Sequence, residues 1–381
     1  MSGQTAPVLL LDDEQKMLSQ TAREFIRRRA PASRLRTLRD SNDEIGFSWE
    51  VWSEMAELGW LGLQIPEQYG GLGLGFFDLC VVLEESGREL MPEPFVSTLL
   101  LGTQALLLGG TADQKQELLP GIAAGTTLVT VAHEERVAGG SASPVSTVAD
   151  RSATGFELSG EKTQVLDGHL AARIIVSAAT DDGAFTLFLI DPSQSGVTVT
   201  RQHRLDGHNA AIVRMDRARV DTGGIVGELD EGATVLSAVL DRAAVGLASQ
   251  MLGGSEQAFA DTLEYLKQRE QFGVPIGSFQ ALQHRAVSVF TEIALARSVV
   301  LAAARAVDDT PEDLPRLASL AKALASETFV HAAEEAIQMH GGIGVTDEHD
   351  IGLYIKRAHA TYMTFGKPSQ HRQRWAELHG Y

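Results

Sequence analysis

The stretch Arg269-Glu270-Gln271-Phe272-Gly273-Val274-Pro275-Ile276-Gly277-Ser278-Phe279-Gln280 decides how this chain is read. A Gly/Pro turn joins two helical patterns, and an arginine stands just before the break. Glycine at such a turn takes backbone angles closed to other residues, and proline cannot continue a helix. The guanidinium offers a planar fork of donors that suits a phosphate. Taken alone, the segment reads equally well as a plain interhelical turn with a solvated arginine. A second segment, Gln338-Met339-His340-Gly341-Gly342-Ile343-Gly344, closes a later helix. Paired glycines cap a helix, and they also let a ligand approach the backbone closely.

Between the two segments, Leu282, Ala286, Val289, Ile293, Ala296 and Val300 recur every three or four residues, the stripe of a core-facing helix. Thr310-Pro311-Glu312-Asp313 predicts the start of the next helix, which runs through Ala321–Met339. Residues 126–230 differ in character. Short β-type runs (Thr127–Val131, Arg173–Ser177, Phe185–Ile190, Val197–Thr200, Ile212–Met215) alternate with Gly, Asp and Ser turns, predicting a small antiparallel barrel or sandwich. Residues 1–125 read as helical. Asp12 and Asp13 cap a helix with Leu18, Ala22 and Phe25 inward and Pro31 at its close; further helices are expected over Trp49–Trp60, Phe77 to about Leu90, and Asp113–Pro120. The expected fold is mainly α with a β-domain insert: an N-terminal helical domain (1–125), a middle β-domain (126–230) and a C-terminal helical domain (231–381).

Composition narrows the function. Lys and Arg total 32 against 50 Asp and Glu, a net charge of −18, which argues against nucleic acid or an anionic membrane as partner. Anionic small molecules need only a local basic site. One cysteine, Cys80, excludes an internal disulfide and a cysteine-based zinc site. The histidines are scattered, with no E-x-x-H or H-E-x-x-H pair, so no metal is expected. Glycines 71, 73 and 75 put Phe76 and Asp78 where a G-x-G-x-x-G loop needs its third glycine, and no Walker loop or G-x-S-x-G elbow occurs. The opening residues lack a signal or transit pattern, and no apolar run approaches the roughly 18 residues of a membrane span. A soluble, cytoplasmic protein is expected.

Together the two Gly-containing segments resemble the acyl-CoA dehydrogenase family, whose chains carry R-x-x-F-G-x-x-I-x-x-F-Q and Q-x-x-G-G-x-G. Glu57-Leu58-Gly59-Trp60 with Ile65-Pro66-Glu67-Gln68-Tyr69-Gly70-Gly71-Leu72-Gly73 is similar to the family's N-terminal signature, and Leu158-Ser159-Gly160-Glu161-Lys162 to its β-domain segment. The resemblance spans nearly the whole chain. It implies a tetramer of three-domain subunits with a C-terminal four-helix bundle and FAD bridging subunits. Arg269, Gln271 and Phe272 would meet the diphosphate and adenosine half of a neighbour's FAD. Ile276, Phe279 and Gln280 would wall that site, and Gln338, Gly341 and Gly342 would add contacts. The isoalloxazine half would lie near Val131, His133, Gln164 and Leu166. There the match is poorer: His133-Glu134-Glu135 and Gln164-Val165-Leu166-Asp167 stand where the family shows T-E-P and W-I-T-N.

Family chemistry is α,β-dehydrogenation of an acyl-CoA, in which a carboxylate removes the α-proton and the β-hydrogen leaves as hydride to the flavin. Reduced flavin then passes electrons to an acceptor protein. The usual base is the glutamate of a Y-E-G-T run, and here Thr364-Phe365-Gly366-Lys367 puts Phe365 in its place. The minority position, on the first helix of the C-terminal domain, falls on Ala243. Asp241 is the nearest acid, although two residues turn a helix by about 200°. Three expectations stand: a dehydrogenase using Asp241, a base-less FAD-binding subunit paired with a catalytic homologue for steroid-like or bulky acyl-CoA, and a flavin-free scaffold of the same fold.

Overall fold

The computed structural model describes residues 10–136, 146–180 and 184–381, so the first nine residues of the opening segment lie outside it. Asp12 caps α1 (Asp13–Arg29): its carboxylate accepts from Gln15 N at 2.8 Å, and Gln15 Oε1 accepts from Asp12 N at 3.2 Å. Acids in the first turn and Arg27, Arg28 and Arg29 in the last complement the helix dipole. Ala22, Phe25 and Ile26 are buried. A second helix, α2 (Ala32–Asp40), follows Pro31 at once. The aromatic helix α3 (Trp49–Glu57) is shorter than expected, because Gly59 turns left-handed (φ 79°) and Trp60 begins a separate 3-10 turn. Next come α4 (Phe76–Arg88), a π-helical stretch (Phe95–Gly102) continuing into α5 (Thr103–Gly109), and α6 (Ala112–Ala123).

The middle part is one eight-stranded sheet of β1 (Val129–Ala132), β2 (Val148–Arg151), β3 (Gly155–Leu166), β4 (Arg173–Ala179), β5 (Phe185–Ile190), β6 (Val197–His203), β7 (Asn209–Asp221) and β8 (Ile225–Val226). Its order is β6-β7-β3-β2-β4-β5-β8, with β1 alongside β4. Pairing is antiparallel apart from two parallel contacts, β1 with β4 and β2 with β4. Phe156, Leu158, Ile174, Val176, Phe188 and Val213 form the sheet's own core. Two register shifts interrupt β3 against β7, and the second lies between Lys162 and Val165. Such a bulge re-aims a side chain: Gln164, at φ 52°, turns outward there.

Helices return as α7 (Gly232–Gln268), a hairpin of β9 (Glu270–Gln271) and β10 (Val274–Pro275), then α8 (Gln280–Asp309), α9 (Leu314–His340), α10 (Ile351–Met363) and α11 (Pro368–Leu378). Thr310–Asp313 forms a turn, and Pro315 sits in the first turn of α9 where its missing N–H costs nothing. The N- and C-terminal helices share one core, into which α4 and α7 press closely. A Cβ at Gly253 stands 1.9 Å from Glu84 O, and one at Gly87 stands 2.0 Å from Gln250 O. Two backbones meet where neither helix carries a side chain. Gly253→Ala is therefore expected to cost about 3 kcal/mol through overpacking, read by urea unfolding, and a variant as stable as the parent refutes the contact.

One expectation needs correction. Two helices are long and apolar enough to cross a membrane by length and composition: α7, with 72% of its most apolar window buried, and α8, with 33%. The apolarity of α7 is core. That of α8 includes an outward face with Val287, Phe290 and Leu295 about 60% exposed.

Candidate active site

Two concave sites hold the predicted residues other than Gln280 and Asp241. The first is a groove of about 690 Å³ between the β9–β10 hairpin and the end of α9. Phe272 (φ 55°) and Gly273 (φ 79°) make the hairpin turn left-handed, which leaves the Phe272 ring 92% exposed and edge-on to Phe279 at 6.1 Å. Opposite, α9 ends at Gly341 (φ 64°), and a Cβ built on Gly341 or Gly342 meets nothing within 4 Å. Arg269, Gln271, Phe272, Ile276, Phe279, Gln338, Gly341 and Gly342 all line the groove; Gln280 stands just outside, at the start of α8. Tyr265 stacks on His340 at 4.4 Å and stiffens the floor. Arg269 makes no ion pair among the described residues, so its fork stays free for an anion. An unspent guanidinium beside bare backbone fits the diphosphate of an extended nucleotide.

The second site is a cleft of about 870 Å³ where the sheet meets the α10–α11 loop. Val131, His133, Gln164 and Leu166 line it from β1 and β3, with Glu134, Arg204, Thr364, Phe365 and Lys367. Phe365 is buried at φ 59°. Its loop is held from below: His371 Nε2 bonds Phe365 O at 2.9 Å, and Lys322 Nζ donates to Gly366 O at 3.0 Å and Ser326 Oγ at 3.0 Å. Burial pushes the Lys322 ammonium down to about 7. Lys322 and His371 went unnoticed in the sequence, since nothing local marks a lysine that serves carbonyls some forty residues away.

His133 is buried, and burial, then the charge of Lys162, bring its imidazole down to about 4, so it is neutral at pH 7. The Val131 carbonyl faces the ring, yet neither ring nitrogen reaches hydrogen-bond geometry with any described residue. Glu134 is half-buried, and burial raises its carboxyl against the pull of Arg204. Behind the cleft, Glu135 accepts from Lys162 Nζ at 2.6 Å, Ser146 N at 2.7 Å, Thr147 Oγ1 at 2.8 Å and Thr147 N at 3.0 Å. Burial opposes its charge, but those donors outweigh burial and hold the carboxyl at about 2.

Asp241 is not in the cleft. It points from α7 to α11, where Arg374 grips it with both arms, Nη2 to Oδ2 at 2.9 Å. The roughly 200° that separate it from Ala243 on the helix carry it away from Phe365. Ala243 itself is fully buried and carries no acid. No group of three or more His, Cys, Asp or Glu able to hold a metal occurs among the described residues.

The comparisons with known proteins fit this geometry. Residues 12–126 match the acyl-CoA dehydrogenase N-terminal domain and residues 230–377 the acyl-CoA dehydrogenase C-terminal domain. The acyl-CoA dehydrogenase IpdE2 of Mycolicibacterium smegmatis is 31% identical over 365 residues, covering 96% of this chain and 98% of that one. Among solved structures, a variant of the Tcur3481-Tcur3483 steroid ACAD is 34% identical with a TM-score of 0.88, covering 97% and 98% of the two chains. The ChsE4-ChsE5 complex of Mycobacterium tuberculosis is 25% identical with a TM-score of 0.90, covering 98% and 99%. The chain belongs to the acyl-CoA dehydrogenase family, whose members are FAD-dependent oxidoreductases.

Proposed function

We propose that this chain serves the FAD-dependent α,β-dehydrogenation of an acyl-CoA thioester. The observation that carries the reading is the groove at Arg269, Gln271, Gln338, Gly341 and Gly342, whose donor set fits a dinucleotide diphosphate. Bound FAD would supply the hydride acceptor. Groove and cleft are lined by different residues of one chain, as expected for a cofactor that bridges two subunits. In the cleft, Gln164 and His133 provide polar contacts for the ring end, and the β1–β3 walls exclude water from it. Reduced cofactor would pass its electrons to a separate electron-transfer protein. Anaerobic addition of straight-chain and bulky ring-bearing acyl-CoAs to the FAD-loaded chain is expected to bleach the flavin; a preparation that takes up no FAD removes the reading.

A second reading has its own observation. The sequence resemblance puts Phe365 and Ala243 at the two places where the family carries a base, and on this reading the chain works as a subunit whose related partner completes proton abstraction. Two of the similar structures are described as paired chains, one of them as a steroid enzyme, which supports a bulky acyl group and a heteromer. The outward apolar face of α8 is the surface to be buried against such a partner. Phe290→Glu is expected to lower the assembly state in analytical ultracentrifugation without loss of helix content. Bleaching that appears only after a related subunit is added selects this reading.

Asp241→Asn discriminates further. Replacing one member of this partly exposed ion pair is expected to cost about 1–2 kcal/mol of stability. The rate of flavin bleaching per folded protein should not change, because Asp241 faces Arg374. A hundredfold loss of rate would return Asp241 to the site.

A further inference from the structure

The cleft wall also holds a buried histidine. His133 follows β1 directly, and its ring stands across from Phe365 with centroids 6.3 Å apart and planes tilted by 31°. Its side chain is only 5% exposed, and neither ring nitrogen is hydrogen-bonded to a described residue. Buried polar groups are almost always paired, so a buried imidazole in a cleft wall with neither nitrogen paired points to a ligand that pairs it. Glu134 Oε1 lies 3.9 Å from Nε2, too far for a hydrogen bond and close enough to stabilise a positive ring. No other histidine of the cleft is as enclosed: His203 is exposed.

We propose that His133 takes the α-proton of the bound thioester, with Glu134 stabilising the imidazolium. This deepens the proposed dehydrogenation and rests on it. In the step, the α C–H bond breaks, its electron pair stays on the substrate as the thioester enolate, and the proton adds to the unprotonated ring nitrogen. Nothing is oxidised, and the reverse step returns a proton from the ring to carbon. An imidazole that exchanges its proton with solvent therefore carries deuterium into the α-position, whether or not hydride transfer follows.

The test follows the α-CH₂ signal of hexanoyl-CoA by NMR in deuterated buffer with the FAD-loaded chain and no related subunit. The wild-type chain is expected to catalyse exchange, His133→Gln to slow it about a hundredfold and Glu134→Gln about tenfold, each rate taken per bound flavin. Phe365→Glu placed in the His133→Gln chain returns a carboxylate from the opposite wall and is expected to restore exchange, which separates lost chemistry from lost folding. Equal exchange in wild type and His133→Gln overturns the role of His133 and leaves the dehydrogenase reading intact. Exchange that appears only with a related subunit also overturns it, in favour of the heteromer. Failure to take up FAD removes the functional reading itself.

Discussion

Arg269→Ala is expected to weaken FAD binding by about two orders of magnitude, read as flavin retained after gel filtration and as a dissociation constant from flavin fluorescence. The guanidinium is exposed and without an ion-pair partner among the described residues, so it loses no internal interaction when a phosphate arrives. Charged hydrogen bonds contribute about 1.5–3 kcal/mol each, and a forked pair lost together, taken at the lower end of about 3 kcal/mol for an exposed site, corresponds to roughly a hundredfold in affinity. Stability of the cofactor-free chain should stay within about 0.5 kcal/mol, as for other surface substitutions. Arg269→Lys should recover only part of the loss, since an ammonium cannot make the planar fork. Gly342→Val makes the same point from the other wall. Open space surrounds its Cβ, so the chain still folds, while the new side chain occupies the approach of the ligand. Unchanged FAD affinity in both variants would detach the groove from the cofactor.

The groove was legible because its arginine and glycines stand out locally and the family resemblance assigned Gln271, Phe272, Ile276, Phe279 and Gln338 beside them. An arginine before a Gly/Pro turn and a glycine pair after a helix need no knowledge of distant contacts. The cleft was half legible. Val131, His133, Gln164 and Leu166 were located through the family resemblance, and all four line the cleft. Their partners were hidden, because the groups that hold the cleft lie far apart in the chain. Arg357 pairs with buried Asp206 at 3.0 Å, and Lys322 reaches the carbonyl of Gly366. Asp241 shows the same limit: helix rotation argued it away from Ala243, but only the fold reveals Arg374, 133 residues on, as its partner. Among the elements, the π-helical stretch went unseen because FVSTLLLG is buried throughout and has no polar face to set a period. The long β3 strand went unseen because Gly160 and the bulge before Val165 break its alternation. Thr310–Asp313 looked like a helix start, yet Pro315 fits the first turn better and moves the start to Leu314.

Glu135→Gln is expected to be the most destabilising of the single changes in the sheet, at about 3–5 kcal/mol in urea unfolding. The reason is an asymmetry within a buried pair. Glu135 is surrounded by donors from Ser146, Thr147 and Lys162, whereas among the described residues Lys162, fully buried, has only Glu135 at 2.6 Å and Ser177 Oγ at 2.9 Å. Removing the carboxylate strands an ammonium in the sheet interior. Removing the ammonium by Lys162→Met leaves the carboxylate its four donors from the 146–147 backbone and hydroxyls, and should cost clearly less. A double variant, Lys162→Met with Glu135→Gln, should recover much of the loss of Glu135→Gln alone, because the stranded charge is gone. The pH dependence has a definite sign. The folded carboxyl sits at about 2, below its unfolded value near 4.5, so its contribution is present above pH 4.5 and fades as pH falls toward 2. Glu135→Gln should lack that part of the acid limb. Since Glu135 follows His133 and Glu134 directly, the same variant should loosen the cleft wall and lower ring-end flavin affinity before the sheet unfolds. Equal destabilisation by Glu135→Gln and Lys162→Met would show that the donors at Ser146 and Thr147 do not hold the carboxylate as described.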